Sequence, residues 1–116
     1  MRALWIVGGL HYLVGSALLF LTLHPLRDRL DSHALHLVLV MSAFQAVQGL
    51  GIMVAARRAP LAAALIAAGV AASASMLYFI AFTGRHPFDP AVPIGGAVAF
   101  AGWALLLFAR RERQSD

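Results

Sequence analysis

Residues 61–83 read LAAALIAAGVAASASMLYFIAFT and contain no charged side chain. At a rise of about 1.5 Å per residue, a helix of this length crosses the hydrocarbon layer of a bilayer, which is roughly 30 Å thick. Hydrocarbon offers no water to the backbone, so a helix, which pairs its own N–H and C=O groups, is the conformation expected there. The stretch therefore predicts a transmembrane helix.

Three further apolar runs extend over residues 4–23, 35–56 and 93–109, and all four runs lack Asp, Glu, Lys and Arg. The whole chain of 116 residues is 61% hydrophobic and 12% charged, with a mean hydropathy of +0.81. Soluble domains carry about 25% charged residues. The composition predicts an all-α membrane protein, a single transmembrane domain over 1–116 in which short loops join a bundle of four transmembrane helices.

The breaks between the runs have local causes. Pro25 ends the first helix, the turn at 57–60 separates the second and third, and Gly84 begins a proline-rich last loop. Asp31 or Ser32 is placed to cap the second helix. The first run is longer than the 7 to 15 or so apolar residues of a signal peptide, and no A-x-A-like site follows it. We therefore expect the first run to remain as a helix.

All nine basic residues are arginines, and they lie between or beyond the apolar runs. One side of the membrane receives six of them and the other side three: Arg2, Arg57, Arg58, Arg110, Arg111 and Arg113 against Arg27, Arg29 and Arg85. Cytoplasmic loops are enriched in basic residues, so this distribution predicts that both termini are cytoplasmic. The net charge of +4 then reflects topology, and we expect the lipid bilayer, not nucleic acid, as a partner.

The residue types argue against catalysis. With no cysteine, the chain cannot form disulfides, iron–sulfur clusters or cysteine zinc sites. It contains no H-E-x-x-H, G-x-S-x-G or phosphate-loop motif, and its aspartates occur only in loops and at the terminus. A bis-histidine haem needs two facing imidazoles, yet only His11 lies well inside a run. We expect no catalytic residues and no cofactor.

Small and polar residues recur at helical spacing within each run, which predicts the faces that point into the bundle. Glycines at such positions allow close helix contacts, and we expect this of Gly8, Gly15, Gly49, Gly69, Gly95 and Gly102. The stripes also contain Tyr12, Ala99 and the polar residues expected to be buried, which are His11, Ser42, Gln45, Gln48 and Ser73.

Depths counted from the helix ends place His11 level with Gln48, and Gln45 level with Ser73, so the prediction is one interhelical hydrogen bond at each level. Three interpretations of these groups remain open: packing contacts, a proton or substrate path, and a lipid or quinone contact. Ser73 and Ser75 are expected to bond their own helix backbone. Trp5 and Trp103, near the run ends, are expected to be interfacial anchors.

The other four histidines fall on the side opposite the six arginines: His24, His33, His36 and His86. His33 and His36 have the i, i+3 spacing that can present two ring nitrogens to one metal. The competing interpretation is a polar boundary, in which 25–30 forms an interfacial turn with its arginines facing water or phosphates. We favour the boundary and assign no metal site.

Three segments of the chain resemble a known family. The sequences YFIAFTG at 78–84 and VPIGGAVAFAGW at 92–103 resemble the "LYLLALTG … TPIGG…F..GW" ending of the domain of unknown function 423 family, small membrane proteins related to transmembrane protein 256. The first loop, HPLRDRL at 24–30, is similar to the family's "AHGLKDRL", with Pro25 in place of a glycine. The resemblance implies a four-helix protein of the bacterial inner membrane and brings no known reaction.

The chain departs from that family in its second helix. The family segment Y-Q-x-x-H-A is replaced here by Phe44, Gln45, Gln48 and Gly49, so a tyrosine hydroxyl and an imidazole are missing. Any chemical role of that imidazole is then lost in this chain or transferred to His11.

The sequence leads to two functional expectations. The first is a multi-pass inner-membrane accessory or scaffold subunit without catalysis of its own, which packs against other membrane protein subunits of a larger complex, a respiratory complex being one example. The alternative is a small transporter or channel subunit that uses His11 and Gln45/Gln48 as a polar path. Small multidrug transporters have this size but use an acidic residue in the first helix, and here that helix offers only His11.

Overall fold

The computed structural model describes the backbone of residues 2–115 and the side chains of residues 2–109. This part of the chain is helical and has no strand. Its elements are α1 (Arg2–Leu23), a short 3₁₀ helix η1 (Pro25–Asp28), α2 (Ser32–Arg58), α3 (Pro60–Thr83) and α4 (Ala91–Ser115). Each of the four α-helices is long and apolar enough to cross a membrane. The predicted fold class is confirmed.

The helix ends follow the local signals in the sequence. The carboxylate of Asp31 accepts a hydrogen bond from the Ala34 N–H at 2.7 Å, as predicted for a cap of α2. Pro60 occupies the first turn of α3, so Ala59 alone connects α2 to α3. Gly84 ends α3 in the left-handed conformation, with φ of 71°, and its N–H donates to the Ile80 carbonyl.

The helices extend beyond the apolar runs that predicted them. α2 begins at Ser32, where the apolar run begins at residue 35, and α4 begins at Ala91, before the run at 93. The reason is that hydropathy marks the hydrocarbon layer, whereas a helix continues through polar residues until a cap or a proline ends it.

Neighbouring helices along the chain are also the main neighbours in space. α1 packs against α2, α2 against α3 and α3 against α4, with smaller contacts of α1 with α3 and of α2 with α4. The bundle measures 54 × 27 × 20 Å. α2 and α3 thus form its centre, and α1 and α4 flank them on the two sides.

Glycines bring α1 and α2 into backbone contact. A Cβ atom at Gly8 would lie 2.8 Å from the Gly49 carbonyl oxygen, and one at Gly15 would lie 2.6 Å from the Ser42 carbonyl oxygen. Gly49 is equally close, because a Cβ there would lie 2.6 Å from the Gly8 oxygen. No larger residue fits at these three positions unless the helices separate.

The α3–α4 pair is built in the same way. A Cβ at Gly95 would lie 2.5 Å from the Gly69 carbonyl oxygen, and one at Gly102 would lie 2.8 Å from the Ala62 carbonyl oxygen. Gly69 faces Gly95 and Ala99. The six glycines singled out in the sequence therefore all lie where one helix backbone meets another.

Between the two pairs, small and branched side chains of α2 and α3 fill the core. Its largest buried cluster contains Ile52, Ala55, Ala56, Ala63, Ile66, Ala67, Val70 and Ala99. Large apolar side chains lie on the outside instead, including Leu13, Phe100 and Leu107, each more than 60% exposed. This inversion of the usual soluble pattern is what a hydrocarbon environment favours.

Two residues of the predicted interior are not buried: Gln48 is only half-buried, and Tyr12 lies outside. Tyr12 is 44% exposed on the outside of α1. Because α1 packs mainly on α2, only a narrow face of it is covered, and Tyr12 lies about 100° around the helix from His11.

Candidate functional site

The centre of the bundle contains a chain of hydrogen bonds through three helices. The Gln45 amide nitrogen lies 3.0 Å from the His11 Nδ1 atom, and the Tyr78 hydroxyl donates to the Gln45 amide oxygen at 2.7 Å. His11 and Gln45 are buried, and Tyr78 is half-buried. We call His11, Gln45 and Tyr78 the polar chain; it joins α1, α2 and α3.

The hydrogen bonds of the polar chain assign the protons within it. An amide nitrogen only donates, so the His11 Nδ1 atom accepts, and the imidazole is neutral with its proton on Nε2. The backbone of Ala67 in α3 also lies near this ring. The amide oxygen accepts from Tyr78, so both ends of the Gln45 side chain are occupied.

Such an arrangement is a good structural link and a poor proton path. A histidine can take up a proton at one nitrogen and release one from the other. A carboxamide cannot pass a proton between its nitrogen and its oxygen without becoming an unstable tautomer. Because Gln45 stands between His11 and Tyr78, the geometry favours the packing interpretation over the path.

The predicted bond between His11 and Gln48 is wrong. The helix contacts do place these residues level, since Gly8 contacts the 49–53 segment of α2 and Gly15 contacts 42–46. The imidazole nevertheless bonds Gln45, one turn away. Rise per residue fixes depth, but the direction in which a side chain leaves the helix depends on how α2 is rotated, and Gln48 is turned towards α4.

Gln48 instead accepts a hydrogen bond from the Trp103 indole N–H at 2.6 Å. The ring of Trp103 also lies against Gly51, which leaves room for it between α2 and α4. Trp103 is therefore a partly buried interhelical contact and not the interfacial anchor predicted for it. The physical reason is that an indole N–H needs an acceptor in an apolar environment, and Gln48 is level with it.

Ser73 also differs from its predictions. Its hydroxyl donates to the Val92 carbonyl of α4 at 2.7 Å, so it bonds neither Gln45 nor its own helix. The nearby Gly95 explains this, because the close approach at that glycine brings the start of α4 over Ser73. Ser42 is buried and bonds the Leu39 carbonyl of its own helix, whereas Ser75 is exposed.

Sequence reasoning missed Tyr78 and the buried Thr22, whose hydroxyl bonds the Leu18 carbonyl. A usable signal existed for Tyr78. It follows Ala74 by four residues and precedes Ala81 by three, and both alanines are buried, so all three share one face of α3. The phenol lies on that face, and in an apolar setting its hydroxyl seeks a partner.

The four outer histidines are not gathered into one cluster. Among the side chains at 2–109, no three His, Asp or Glu residues lie in an arrangement that could hold a metal ion. His24 packs against Phe20 with the rings tilted by 41° and their centroids 4.4 Å apart, and His86 bonds the Asp89 carboxylate at 2.9 Å. His33 and His86 line one cavity of about 320 Å³ together with Arg29 and Asp31.

His11 also contributes to a shallow groove on the outside of the bundle. The groove has a volume of about 210 Å³ and is otherwise lined by Val7, Leu10, Val14 and Gln45. With its Nδ1 atom held by Gln45, the imidazole presents little polar surface there, since His11 is 9% exposed.

Comparison of the chain with protein-family models, with curated proteins and with solved structures found no match.

Proposed function

We propose that this protein is a small multi-pass membrane protein that acts as an accessory or scaffold subunit of a larger membrane complex, without catalysis of its own. The resemblance noted in the sequence suggests the bacterial inner membrane, and the arginine distribution suggests cytoplasmic termini. A respiratory complex is one example of such an assembly.

The observation that carries the proposal is an outward stripe of small residues on α3. Ala68, Ala72 and Ser75 follow one another at i, i+4 and i+7, and all three are exposed. Where lipid surrounds a helix, small residues let a second backbone approach and hydroxyls bond across the contact. The glycine stripes are already occupied within the chain, and the exposed stripe of Ala97, Ala101 and Ala104 on α4 has no hydroxyl. We therefore assign the α3 stripe to a partner's transmembrane helix.

The polar groups of the interior support the same proposal. Among the described residues, no buried side-chain nitrogen or oxygen lacks a hydrogen-bond partner. His11, Gln45 and Tyr78 satisfy one another, and Gln48 satisfies Trp103. These side chains bond one another and so link the helices. A bundle fixed in this way suits a subunit that presents one unchanging surface to its partner.

The test is a native gel of gently solubilised membranes, followed by identification of the comigrating proteins. We expect the chain to migrate with one larger membrane complex. The substitution Ala72→Leu places a large side chain on the outward stripe and should release the chain from the complex. Ala43→Leu, on an exposed face of α2 that already carries Val40 and Val47, should not. Migration of the wild-type chain on its own, or equal behaviour of the two variants, would contradict the accessory role.

A transporter or channel subunit that uses His11 and Gln45/Gln48 as a polar path is the second candidate, and the observation that favours it is the outward groove lined by His11 and Gln45. In that case His11 would have to bind and release the transported proton or substrate. Uptake or efflux by proteoliposomes that is abolished by His11→Ala, while the variant keeps its helix content, would support this function. Equal fluxes in wild-type and protein-free vesicles would argue against it.

A further inference from the structure

A cavity of about 680 Å³, open to the outside of the bundle, lies at the arginine-rich end between α1 and α2. We call it the arginine cavity; its lining is Trp5, Leu50, Met53, Val54, Arg57 and Arg58. Ligand sites in proteins have volumes of roughly 300 to 1,000 Å³. We propose that this cavity binds an anionic phospholipid, with the phosphate headgroup at the two arginines and the upper acyl chain along α2. This inference does not depend on the accessory role.

The charges around the cavity favour an anion. Arg57 and Arg58 are exposed, and none of the residues that line the cavity is acidic. At this end of the bundle, the charged side chains within 2–109 are Arg2, Arg57 and Arg58, all of them positive. Basic pockets of this kind at a membrane surface attract anionic headgroups, at about 1 kcal/mol for each arginine.

The cavity at the other end of the bundle has a different character. There Asp31 lies beside Arg29 and His33, and His86 is paired with Asp89. The acids balance the cations, so that cavity lacks the charge complementarity to an anion. The arginine cavity therefore differs from the opposite cavity in its net positive charge, and not only in its position at a helix end.

Trp5 supplies a hydrogen-bond donor at the same level. Trp5 is 45% exposed, and none of the side-chain hydrogen bonds found within residues 2–109 involves its indole N–H. The other tryptophan, Trp103, donates to Gln48 instead. Indoles are enriched where lipid headgroups meet hydrocarbon, because the N–H can reach a phosphate or ester oxygen while the ring stays in the apolar layer.

The lower part of the cavity is apolar, which argues for a lipid over a free phosphate ion. Leu50 and Val54 are 49% and 62% exposed, and Met53 lies beside them. From Arg57 down to Leu50 the helix descends about 10 Å. An amphiphile fits both halves of such a cavity, whereas inorganic phosphate would use only the upper half.

The experiment measures lipid binding to the purified full chain in detergent, by native mass spectrometry over a range of lipid concentrations. The probes are dioleoylphosphatidylglycerol, which is anionic, and dioleoylphosphatidylcholine, which has the same acyl chains and no net charge. We expect the anionic lipid to bind roughly thirtyfold more tightly, the effect of two arginines at about 1 kcal/mol each. The double variant Arg57→Gln/Arg58→Gln should lose this preference.

The matched control is Arg27→Gln/Arg29→Gln, which removes the same charge from the opposite end and should keep the preference. Because loop arginines also guide membrane insertion, Trp5→Phe provides a second test that leaves the charge unchanged. It should weaken binding of the anionic lipid by roughly tenfold through the lost N–H. Equal effects of the two double variants, equal binding of both lipids, or displacement of the lipid by inorganic phosphate at equimolar concentration would each overturn the proposal.

Discussion

Gln45 connects three helices through one side chain. Its nitrogen donates to His11 of α1 and its oxygen accepts from Tyr78 of α3, while its own backbone belongs to α2. In a bilayer the alternative to a protein partner is an unsatisfied amide in hydrocarbon, which is costly. The residue therefore fixes how α1 and α3 are placed on α2.

We predict that Gln45→Leu lowers the free energy of unfolding by about 1 to 3 kcal/mol, since it removes two interhelical bonds that in membranes contribute about 0.6 to 1.7 kcal/mol each. Unfolding in a detergent titration, followed by circular dichroism, measures the change. Tyr78→Phe removes one of the two bonds and keeps the ring, so it should cost about half as much. A Gln45→Leu protein as stable as the wild type would disprove the linking role of this residue.

Substitution of Gln48 gives a second prediction for a single residue, and its effect can be followed by tryptophan fluorescence. In Gln48→Leu the Trp103 indole loses its acceptor, so we expect a loss of about 0.6 to 1.7 kcal/mol in stability together with a shift of tryptophan emission to shorter wavelength. The emission shift should be absent from Gln45→Leu, because Gln45 does not contact Trp103. If both variants shift the emission equally, the assigned pairing is incorrect.

At the scale of secondary structure, the bundle is built from two pairs of helices. α1 with α2 and α3 with α4 each meet along glycines, at distances that admit no side chain. The hydrophobic effect does not drive helices together in lipid, because the acyl chains are as apolar as the side chains. Close van der Waals packing is therefore the main source of helix association here. Not every glycine takes part, since Gly9 and Gly96 have nothing within 4 Å of a would-be Cβ.

Each helix pair contains one glycine that contacts the neighbouring helix and one that does not, so the same substitution can be compared at both. We expect Gly49→Ala to destabilise the protein by about 1 to 3 kcal/mol, because the new methyl group meets the backbone of α1. Gly9→Ala should be neutral or stabilising by up to about 1 kcal/mol, because it only improves helix propensity. Gly69→Ala and Gly96→Ala should reproduce the contrast in the second pair. Thermal unfolding in detergent measures all four; a Gly9→Ala protein as unstable as Gly49→Ala would refute this packing.

At the scale of the whole molecule, polarity is arranged along the long axis. The bundle is 54 Å long, somewhat more than the 40 to 45 Å or so of a bilayer with its headgroups. Among the described residues, Arg57 and Arg58 lie at one end of the bundle. The loops around Asp31 and Asp89 lie at the other end. Between them the exposed surface is mainly apolar, and His11 and Gln45 of the polar chain are buried.

This arrangement predicts which loops can be reached from each side of the membrane. The chain has no cysteine, so single cysteines at Ser32 and Ala59 can be labelled without background. In intact bacterial cells, a membrane-impermeant maleimide should label Ser32→Cys, and it should label Ala59→Cys only after lysis, as the arginine distribution requires. Labelling of both variants in intact cells would contradict the orientation.

The sequence alone was sufficient for the fold class, the number of helices and most of their limits. It also marked the glycines that meet other helices and identified Asp31 as a cap. These properties are local: the absence of charge over a run of residues, the rise of 1.5 Å per residue, and the side chains next to a helix end. Depth within the bundle follows from the same arithmetic, which is why His11 and Gln48 are indeed level.

Only the tertiary structure decided which polar groups meet. Gln45 and Gln48 are three residues apart on one helix, yet the first faces α1 and α3 and the second faces α4. That outcome depends on the rotation of each helix about its axis, and the rotation is set by all the packing contacts together. The polar chain, the Trp103 contact, the bond of Ser73 to α4 and the arginine cavity all follow from this rotation, which no local pattern of residues encodes.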